Sequence, residues 1–395
     1  MKIEKLEHII RIGILVLAAS LMFSLFVAQA VAILLIIVWL LKLIVFKKAN
    51  LKDNPFTYPF IAFVIARIIS VFLSSDFSQS AQALNKEIFF YPIFFIVVDC
   101  FPIDDKKYFK WFFIVLVVSA IVASIYGSLT VVLEYSERAI STTSGFYTLG
   151  TFLTVVAAVL LVIGSDKYFI PSKLVWAFAL VIIVTGILFT NNRIHWALIA
   201  LIFLVFGVFR ERKLIFAISI LAAIIIISVP MFRERVMEII FFSRYLSDRD
   251  VLWQGAGLIY SEHPVFGFGP YTFREIFPLF DLLVDKFVSS WHNDYLQVYV
   301  ESGLIGLLSF LWLGFSVFYC AIESFLSKTT DGFVKDLSFA LLLVMVSLYV
   351  TGIVGTFIFS PITALLYQLF LGILAANYRK LKLKKELDSQ NLTMN

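Results

Sequence analysis

The stretch Ser289-Ser-Trp-His-Asn-Asp-Tyr-Leu-Gln-Val-Tyr-Val-Glu-Ser-Gly303 joins the two kinds of sequence that make up this chain. Before it lies a long polar loop, 231–300, and after it comes an apolar run, 301–322, long enough to enter a membrane. The pattern from His292 to Val300 predicts a helix that continues into that run. A histidine flanked by tryptophan and asparagine therefore lies at the mouth of a predicted membrane span.

The composition of the chain predicts a polytopic helical membrane protein. Of its 395 residues, 61% are hydrophobic and only 15% are charged, whereas soluble domains carry about 25% charged residues. Apolar runs long enough to cross about 30 Å of hydrocarbon recur along the whole chain. The expected fold class is all-α with about twelve transmembrane helices. The lipid bilayer is an expected partner, and nucleic acid is not.

Twelve apolar runs are assigned as membrane spans, and the N-terminal pair is interpreted as a retained hairpin and not as a cleavable signal. The spans are 10–27, 30–46, 57–73, 88–101, 111–133, 147–164, 174–190, 194–209, 214–230, 301–322, 336–353 and 356–376. They predict three regions. Residues 1–230 contain transmembrane helices 1–9. Residues 231–300 form a periplasmic loop with amphipathic helices and catalytic motifs. Residues 301–395 contain transmembrane helices 10–12 and a basic cytoplasmic tail.

The distribution of positive charge predicts how the chain lies in the membrane. Most of the 32 Lys and Arg residues fall in loops on the side of the two termini. Because short cytoplasmic loops are enriched in Lys and Arg, both termini are expected in the cytoplasm and the 231–300 loop outside. That loop has room for a site built away from the bilayer.

The 231–300 loop is predicted to contain two helices followed by a turn. Phe232–Leu246 mixes charged and apolar residues at helical spacing, which is typical of an amphipathic helix at the membrane interface. A second helix is predicted over Asp248–Ser261, with Pro264 beyond its end. The sequence Gly267-Phe-Gly-Pro270 indicates a turn.

Three arginines stand out by their position. Arg193 follows Thr190-Asn-Asn192 in a short turn between two apolar runs, and Arg249 opens the second loop helix. Arg67 lies inside a span, where a charge costs at least roughly 2.5–3.5 kcal/mol on insertion scales. Each has a plainer interpretation: a lipid-headgroup anchor for Arg193, a solvated charge for Arg249, and an ion pair with Glu87 for Arg67.

A lipid pyrophosphate substrate would explain why cations are needed at the outer face. Guanidinium forks match phosphate oxygens in bidentate fashion, and they stabilise the negative charge that grows on a departing pyrophosphate. Arg193 and Arg249 are the main candidates for this role, and Arg67 is a further candidate for substrate binding. Activation by arginine is favoured over activation by a metal, so no metal and no cofactor are expected.

Four histidines are present, and His292 is the candidate general base. His8 lies on the cytoplasmic side, whereas packing or hydrogen bonding explains His195 inside a span and His263 before Pro264 at a helix end. His292 shares the outer side with the arginines. An imidazole near its ordinary pKa accepts a proton from a sugar hydroxyl at neutral pH.

Other side chains near His292 are candidates for contacting a glycan. Trp253, Trp291 and Asn293 are assigned as substrate-binding residues, although interfacial belts are the commoner reason for Trp and Tyr in membrane proteins. The two cysteines, Cys100 and Cys320, lie within or beside apolar runs without metal-site spacing. Neither a disulfide framework nor a structural metal is therefore expected.

Four motifs in the second half of the chain resemble the signature region of the O-antigen ligase and O-antigen polymerase family of membrane glycosyltransferases. In order they are Arg249-x-x-Leu-Trp253, His263-Pro-x-x-Gly-x-Gly-Pro270, His292-Asn-x-Tyr-Leu-Gln297 and Glu301-x-Gly303-Leu-Ile-Gly306. The resemblance covers this order and spacing as well as the twelve-span topology.

Two features within this family distinguish the ligases. One is an outer-face arginine ahead of the long loop, a position occupied here by Arg193. The other is a histidine and a glycine with ten residues between them, a spacing met by His292 and Gly303. The ligase arginine is usually followed after three residues by Leu, and here that place holds Ala197.

The resemblance implies an inverting, metal-independent glycosyltransferase of the bacterial inner membrane that acts in lipopolysaccharide biosynthesis. The donor would be a glycan on a polyprenyl-pyrophosphate carrier such as undecaprenyl pyrophosphate, and the acceptor would be a hydroxyl of the lipid A core. Arg193 and Arg249 would hold the pyrophosphate. His292 would activate the acceptor hydroxyl.

Two alternatives to the expected O-antigen ligase stay open. A polymerase would use the same donor but would extend another lipid-linked repeat unit. A transporter or flippase would use Arg67 and the outer arginines as a path for an anion, but transporters usually bind near mid-membrane on broken helices, often with repeated halves. The concentration of polar residues in one outer loop favours the enzyme.

Overall fold

The computed structural model describes residues 3–51, 54–213, 248–327 and 331–393, together with residues 233, 234 and 237. Over these residues the regular structure is entirely helical, which confirms the all-α part of the predicted fold class. The helices before the long loop are α1 (Ile3–Ser20), α2 (Leu25–Phe46), α3 (Thr57–Phe72), α4 (Phe77–Glu87), α5 (Tyr91–Cys100), α6 (Lys106–Val132), α7 (Phe146–Ile163), α8 (Lys173–Phe189) and α9 (Arg193–Phe209). Those after it are α10 (Arg249–Ile259), α11 (Phe273–Ile276), a short 3-10 helix (Phe280–Leu282), α12 (Asp294–Leu326), α13 (Gly332–Thr351) and α14 (Pro361–Thr393).

Six of the described helices are long and apolar enough to cross a membrane: α2, α6, α7, α12, α13 and the part of α14 up to Glu386. Three shorter apolar helices, α3, α8 and α9, accompany them. The chain is therefore a multi-pass helical membrane protein, whereas the count of twelve spans stays a prediction. The predicted span 214–230 and the amphipathic helix Phe232–Leu246 lie outside the described residues.

The predicted span 88–101 is a shorter helix in the structure than the sequence suggested. Helix α4 ends at Glu87, residues 88–90 form a turn, and the rest of the span is the ten-residue helix α5, which has Pro92 in its first turn. At 1.5 Å per residue, a helix of this length covers only about 15 Å, half of a hydrocarbon core. Apolarity alone therefore did not reveal that this run begins with a turn and continues as a short helix.

Helix α7 lies at the centre of the bundle. Every residue from Leu149 to Ile163 is buried, so this helix has no face left for lipid. It packs against α8, α9 and α13, while α12 packs between α3 and α13. These contacts bring the starts of α9 and α12 and the end of α13 into one part of the molecule.

Helix α12 is broken at Gly303, which has φ 62°. Four backbone hydrogen bonds from the 264–269 segment of the loop replace the bonds that the helix loses. Leu304 N–H donates to Pro264 O (2.8 Å) and Ile305 N–H to Val265 O (3.3 Å), while Phe268 N–H and Gly269 N–H donate to the carbonyls of residues 300 and 301 (2.9 and 3.0 Å). Since buried backbone groups must be paired, this exchange fastens the loop to the bundle.

The motif glycines are required by this close contact between the loop and α12. A Cβ atom on Gly267 (φ 72°) would lie 2.4 Å from the carbonyl carbon of Glu301, and a Cβ atom on Gly303 would lie 2.2 Å from that of Val265. Both glycines also have the positive φ that other residues rarely adopt. The motifs His263–Pro270 and Glu301–Gly306 therefore form one structural unit.

The described part of the loop has its own small hydrophobic core. Trp291 is fully buried there and packs edge-on against Phe273 (5.0 Å between ring centroids) and Phe277 (5.6 Å). Leu252 of α10 belongs to the same core. This packing holds α10 and the residues before α12 in a defined position.

Candidate active site

Arg249 is the first residue of α10, and it reaches from the loop to the bundle. Its Nη2 donates to the carbonyl of Val354 at 2.7 Å, in the segment between α13 and α14. The preceding residue, Asp248, has φ 61° and accepts hydrogen bonds from Val284 N–H (3.1 Å) and Asp285 N–H (3.0 Å). The start of α10 is therefore fixed from both sides.

Arg193 is the first residue of α9, and it lies within the electrostatic field of Arg249. Asn192 caps the helix by accepting a hydrogen bond from Ile194 N–H (3.2 Å). Burial lowers the pKa of the Arg249 guanidinium, the positive charge of Arg193 lowers it further, and Tyr147 opposes the shift. The structure therefore brings an arginine of the loop near an arginine of the bundle, each at the positive end of a helix.

His292 belongs to the same cluster. Burial lowers its pKa, the charge of Arg249 lowers it further, and the carboxylates of Asp285 and Asp248 oppose the shift. The imidazole is therefore neutral at neutral pH, the form that accepts a proton. His292 also has φ 48°, a backbone conformation uncommon for residues other than glycine. Such strained positions cluster at functional sites.

The structure adds two side chains that the sequence analysis missed. Tyr147, in the first turn of α7, donates from its hydroxyl to Thr351 O (2.6 Å) and interacts electrostatically with Arg249. Asp294, two residues after His292, is fully buried and accepts from Phe357 N–H (2.8 Å). No local sequence pattern distinguishes Tyr147. Asp294 could have been selected from the sequence, because it is an acidic residue at the start of a predicted span.

The three other loop residues predicted to bind substrate differ in their surroundings. Trp253 is 47% exposed on α10, so its ring is open to a ligand. Trp291 is enclosed in the core of the loop, and its surroundings give it a packing role. Asn293 caps α12, because its side-chain oxygen accepts from Leu296 N–H (2.9 Å), which leaves its amide nitrogen for a ligand.

Arg67 lies in a second, fully buried cluster. Its Nη1 donates to Glu301 Oε2 (2.7 Å) and its Nε to Glu87 Oε2 (3.2 Å), while Ser302 Oγ also accepts from Nη1 (3.2 Å). The guanidinium also lies over the ring of Phe359, 4.6 Å from its centroid. The ion pair with Glu87, which the sequence offered as the plainer interpretation, is present. These contacts give Arg67 a structural role and do not support substrate binding.

The remaining histidines have packing surroundings. His195 is fully buried beside Thr151 Oγ1 (3.1 Å) and Tyr147, whose ring centroid lies 5.2 Å away. His263 is exposed and lies against Phe268 (4.4 Å between centroids).

An Asp-x-Asp pattern, Asp248-Arg249-Asp250, is also present at the start of α10. One oxygen of Asp248 is engaged by backbone N–H groups, and Asp250 is exposed. Among the described residues, no three His, Cys, Asp or Glu side chains lie together in a group that could hold a metal ion.

Comparison with known proteins supports the family resemblance. Residues 178–311 match the family model of the O-antigen ligase domain, a range that includes Arg193, Arg249 and His292. No curated protein matches the chain. The match supports a glycosyltransferase-like function in the membrane. The O-antigen ligase resemblance predicted from the sequence is thus confirmed, and the match extends over residues 178–311.

Proposed function

We propose that this protein is an O-antigen ligase that transfers a glycan from a polyprenyl-pyrophosphate carrier to a hydroxyl of the lipid A core. The observation that carries the proposal is the cluster of Arg193, Arg249 and His292, built from the starts of three helices. The match to the O-antigen ligase domain supports the same function.

The pyrophosphate of the donor would lie between Arg193 and Arg249. Two guanidinium groups in each other's field, one with its pKa lowered by burial, are stabilised by an anion placed between them. Each fork can pair with two phosphate oxygens, and the starts of α9 and α10 add partial positive charge. The same groups would stabilise the charge that develops as the carrier leaves.

His292 would act as the general base. Its neutral imidazole would accept the proton of the acceptor hydroxyl while that oxygen forms a bond to the anomeric carbon. The bond from that carbon to the pyrophosphate oxygen breaks on the opposite side, which inverts the configuration. The carrier leaves as polyprenyl pyrophosphate, and His292 then releases its proton to water.

Trp253 and Asn293 are the side chains best placed to contact the glycan. The exposed indole of Trp253 offers an apolar face of the kind on which sugar rings stack, and it lies one helical turn after Arg249 on α10. Arg67 is not included in the proposed site because its donors are already paired with two carboxylates.

Deletion of the gene and analysis of the lipopolysaccharide on a gel tests this function. Loss of a ligase leaves bare core, with polymer stranded on its carrier. Core bearing a single repeat unit would instead identify a polymerase, and an unchanged pattern would contradict both functions.

The proposed location is the bacterial inner membrane, with both termini in the cytoplasm and the active site on the periplasmic face. The asymmetric distribution of Lys and Arg supports this orientation. A reporter that is active only in the periplasm, fused after Asn395, should stay silent. A strong signal from this fusion would overturn the orientation and the face assigned to the site.

A further inference from the structure

Asp294 is a buried carboxylate for which the proposed mechanism has no use. It is the first residue of α12, follows His292 by two residues, and is fully shielded from solvent. Burying a carboxylate is costly, so its contacts indicate what the structure gains from it.

Both the backbone and the side chain of Asp294 bind the loop formed by residues 352–357, between α13 and α14. Its N–H donates to Gly352 O (2.8 Å), and its Oδ2 accepts from Phe357 N–H (2.8 Å). The two hydrogen bonds hold the loop at its first and last residues.

The middle of the same loop contacts Arg249. The carbonyl of Val354 accepts from Arg249 Nη2 at 2.7 Å. On another side the loop packs closely on Tyr147, because a Cβ atom on Gly355 would lie 2.0 Å from an atom of the tyrosine ring. The position of the Arg249 guanidinium therefore depends on where this loop lies.

We infer that Asp294 is a positioning residue that sets the guanidinium of Arg249 for pyrophosphate through the 352–357 loop. This inference rests on the proposed function, in which Arg249 binds the pyrophosphate. What the loop needs from Asp294 is a hydrogen-bond acceptor for Phe357 N–H. Asparagine, which has nearly the same shape and keeps an acceptor oxygen, should therefore replace it, whereas alanine should not.

The test is a titration of the purified full-length protein with undecaprenyl pyrophosphate. Asp294→Ala should weaken binding about tenfold or more, because it leaves the buried N–H of Phe357 without an acceptor. Asp294→Asn should stay within about threefold of the wild type, because it keeps the acceptor. Asp281→Ala, which removes an exposed carboxylate from the same loop domain, is the matched control and should bind normally.

A double-mutant cycle tests whether Asp294 acts through Arg249. If Asp294 acts only by positioning the Arg249 guanidinium, the two substitutions remove the same contact with pyrophosphate. Adding Asp294→Ala to Arg249→Lys should then weaken binding by no more than about twofold beyond Arg249→Lys alone. Full additivity would overturn the inference. Equal loss in Asp294→Asn and Asp294→Ala at equal abundance would also overturn it, because the charge itself would then be required.

Gly355→Ala tests the inference if Asp294→Ala does not accumulate in the membrane. The added methyl group displaces the loop from the side of Tyr147, so binding of undecaprenyl pyrophosphate should weaken as for Asp294→Ala. Normal binding by this variant would overturn the role of the loop. If Arg249→Lys alone binds normally, the proposed pyrophosphate site itself is wrong. If Arg249→Lys weakens binding but Asp294→Ala and Gly355→Ala do not, the inference about Asp294 is wrong and the proposed pyrophosphate site stands.

Discussion

The molecule places arginine in two contrasting surroundings. Arg67 is fully buried and held by the carboxylates of Glu87 and Glu301. Arg249 donates to a backbone carbonyl and lies in the field of another arginine, Arg193. Two carboxylates therefore balance the charge of Arg67, whereas the positive charge of Arg193 adds to that of Arg249 and would favour an anion at the proposed site.

This difference teaches how to separate structural from functional cations in a membrane protein. An arginine near the middle of a span attracts attention because its burial is expensive. Carboxylates can offset that expense, and Arg67 then fastens α3 to α4 and α12. Arg193 and Arg249 have less conspicuous positions in the sequence, at a turn and at a helix start. Their mutual proximity, together with His292, distinguishes them.

Removal of His292 should have the largest effect on transfer and should separate catalysis from binding. His292→Ala should lower the rate of transfer by about 10²–10⁴-fold, which general-base catalysis typically contributes. Its abundance in membranes and its binding of undecaprenyl pyrophosphate should be nearly normal, because the arginines hold the phosphates. The rate is measured with purified enzyme, lipid-linked donor and lipid A core acceptor.

Two conservative variants distinguish the base from a structural histidine. Asparagine tolerates the positive φ of this position, and glutamine can replace a hydrogen bond, but neither accepts a proton near neutral pH. Both His292→Asn and His292→Gln should be as inactive as His292→Ala. Substantial transfer by either would end the general-base assignment. Abolition of wild-type transfer by a chelator would contradict the metal-independent mechanism.

The Arg67 cluster should govern abundance and not binding. Arg67→Met leaves two carboxylates buried without their cation, and breaking a buried ion pair in this way costs about 3–5 kcal/mol. Less protein should therefore accumulate in the membrane, as measured by immunoblot against the exposed Lys86→Met control. Neutralising all three groups (Arg67→Met, Glu87→Gln and Glu301→Gln) should restore part of the abundance. Normal abundance with lost binding would move Arg67 into the functional group.

Arginine-to-lysine changes at the proposed site should have a smaller effect, and they should lower binding instead of abundance. Arg193→Lys and Arg249→Lys keep the charge but lose the bidentate fork, so binding of undecaprenyl pyrophosphate should fall about tenfold to a hundredfold at normal abundance. Arg274→Lys, at an exposed position of the same loop, serves as the control. Near-normal binding and transfer in both variants would reduce the two residues to headgroup anchors.

The pH dependence should show the smallest effect. His292 works when neutral, so activity falls as pH drops through its pKa. Since that pKa is lowered, half-maximal transfer by the wild type should lie below about pH 6.5. Arg249→Gln removes one of the charges that lower this pKa, so the acid limb of its residual activity should move upward by less than about one unit. Arg249→Lys should leave the acid limb in place. If half-maximal transfer on the acid side of the wild-type profile lay above pH 6.5, the assignment of His292 as the general base would be contradicted.

The sequence motifs showed which glycines matter but not why they are needed. The glycines at 267 and 303 were visible as part of the family signature. Their structural reason, the hydrogen-bonded contact between the loop and the broken helix α12, required the structure. The spacing between His292 and Gly303 therefore measures the distance along α12 from the site to that contact.

The amino-acid sequence was enough to predict the all-helical membrane class, the family resemblance and the candidates Arg193, Arg249 and His292. Hydropathy, chain order and spacing are properties of neighbouring residues and need no fold. The three-dimensional contacts were needed to find that Arg67 pairs with Glu301, 234 positions away, and that Tyr147 and the Val354 carbonyl interact with Arg249. The role of a side chain depends on the groups that surround it, and those groups are brought together by packing between helices that lie far apart in the chain.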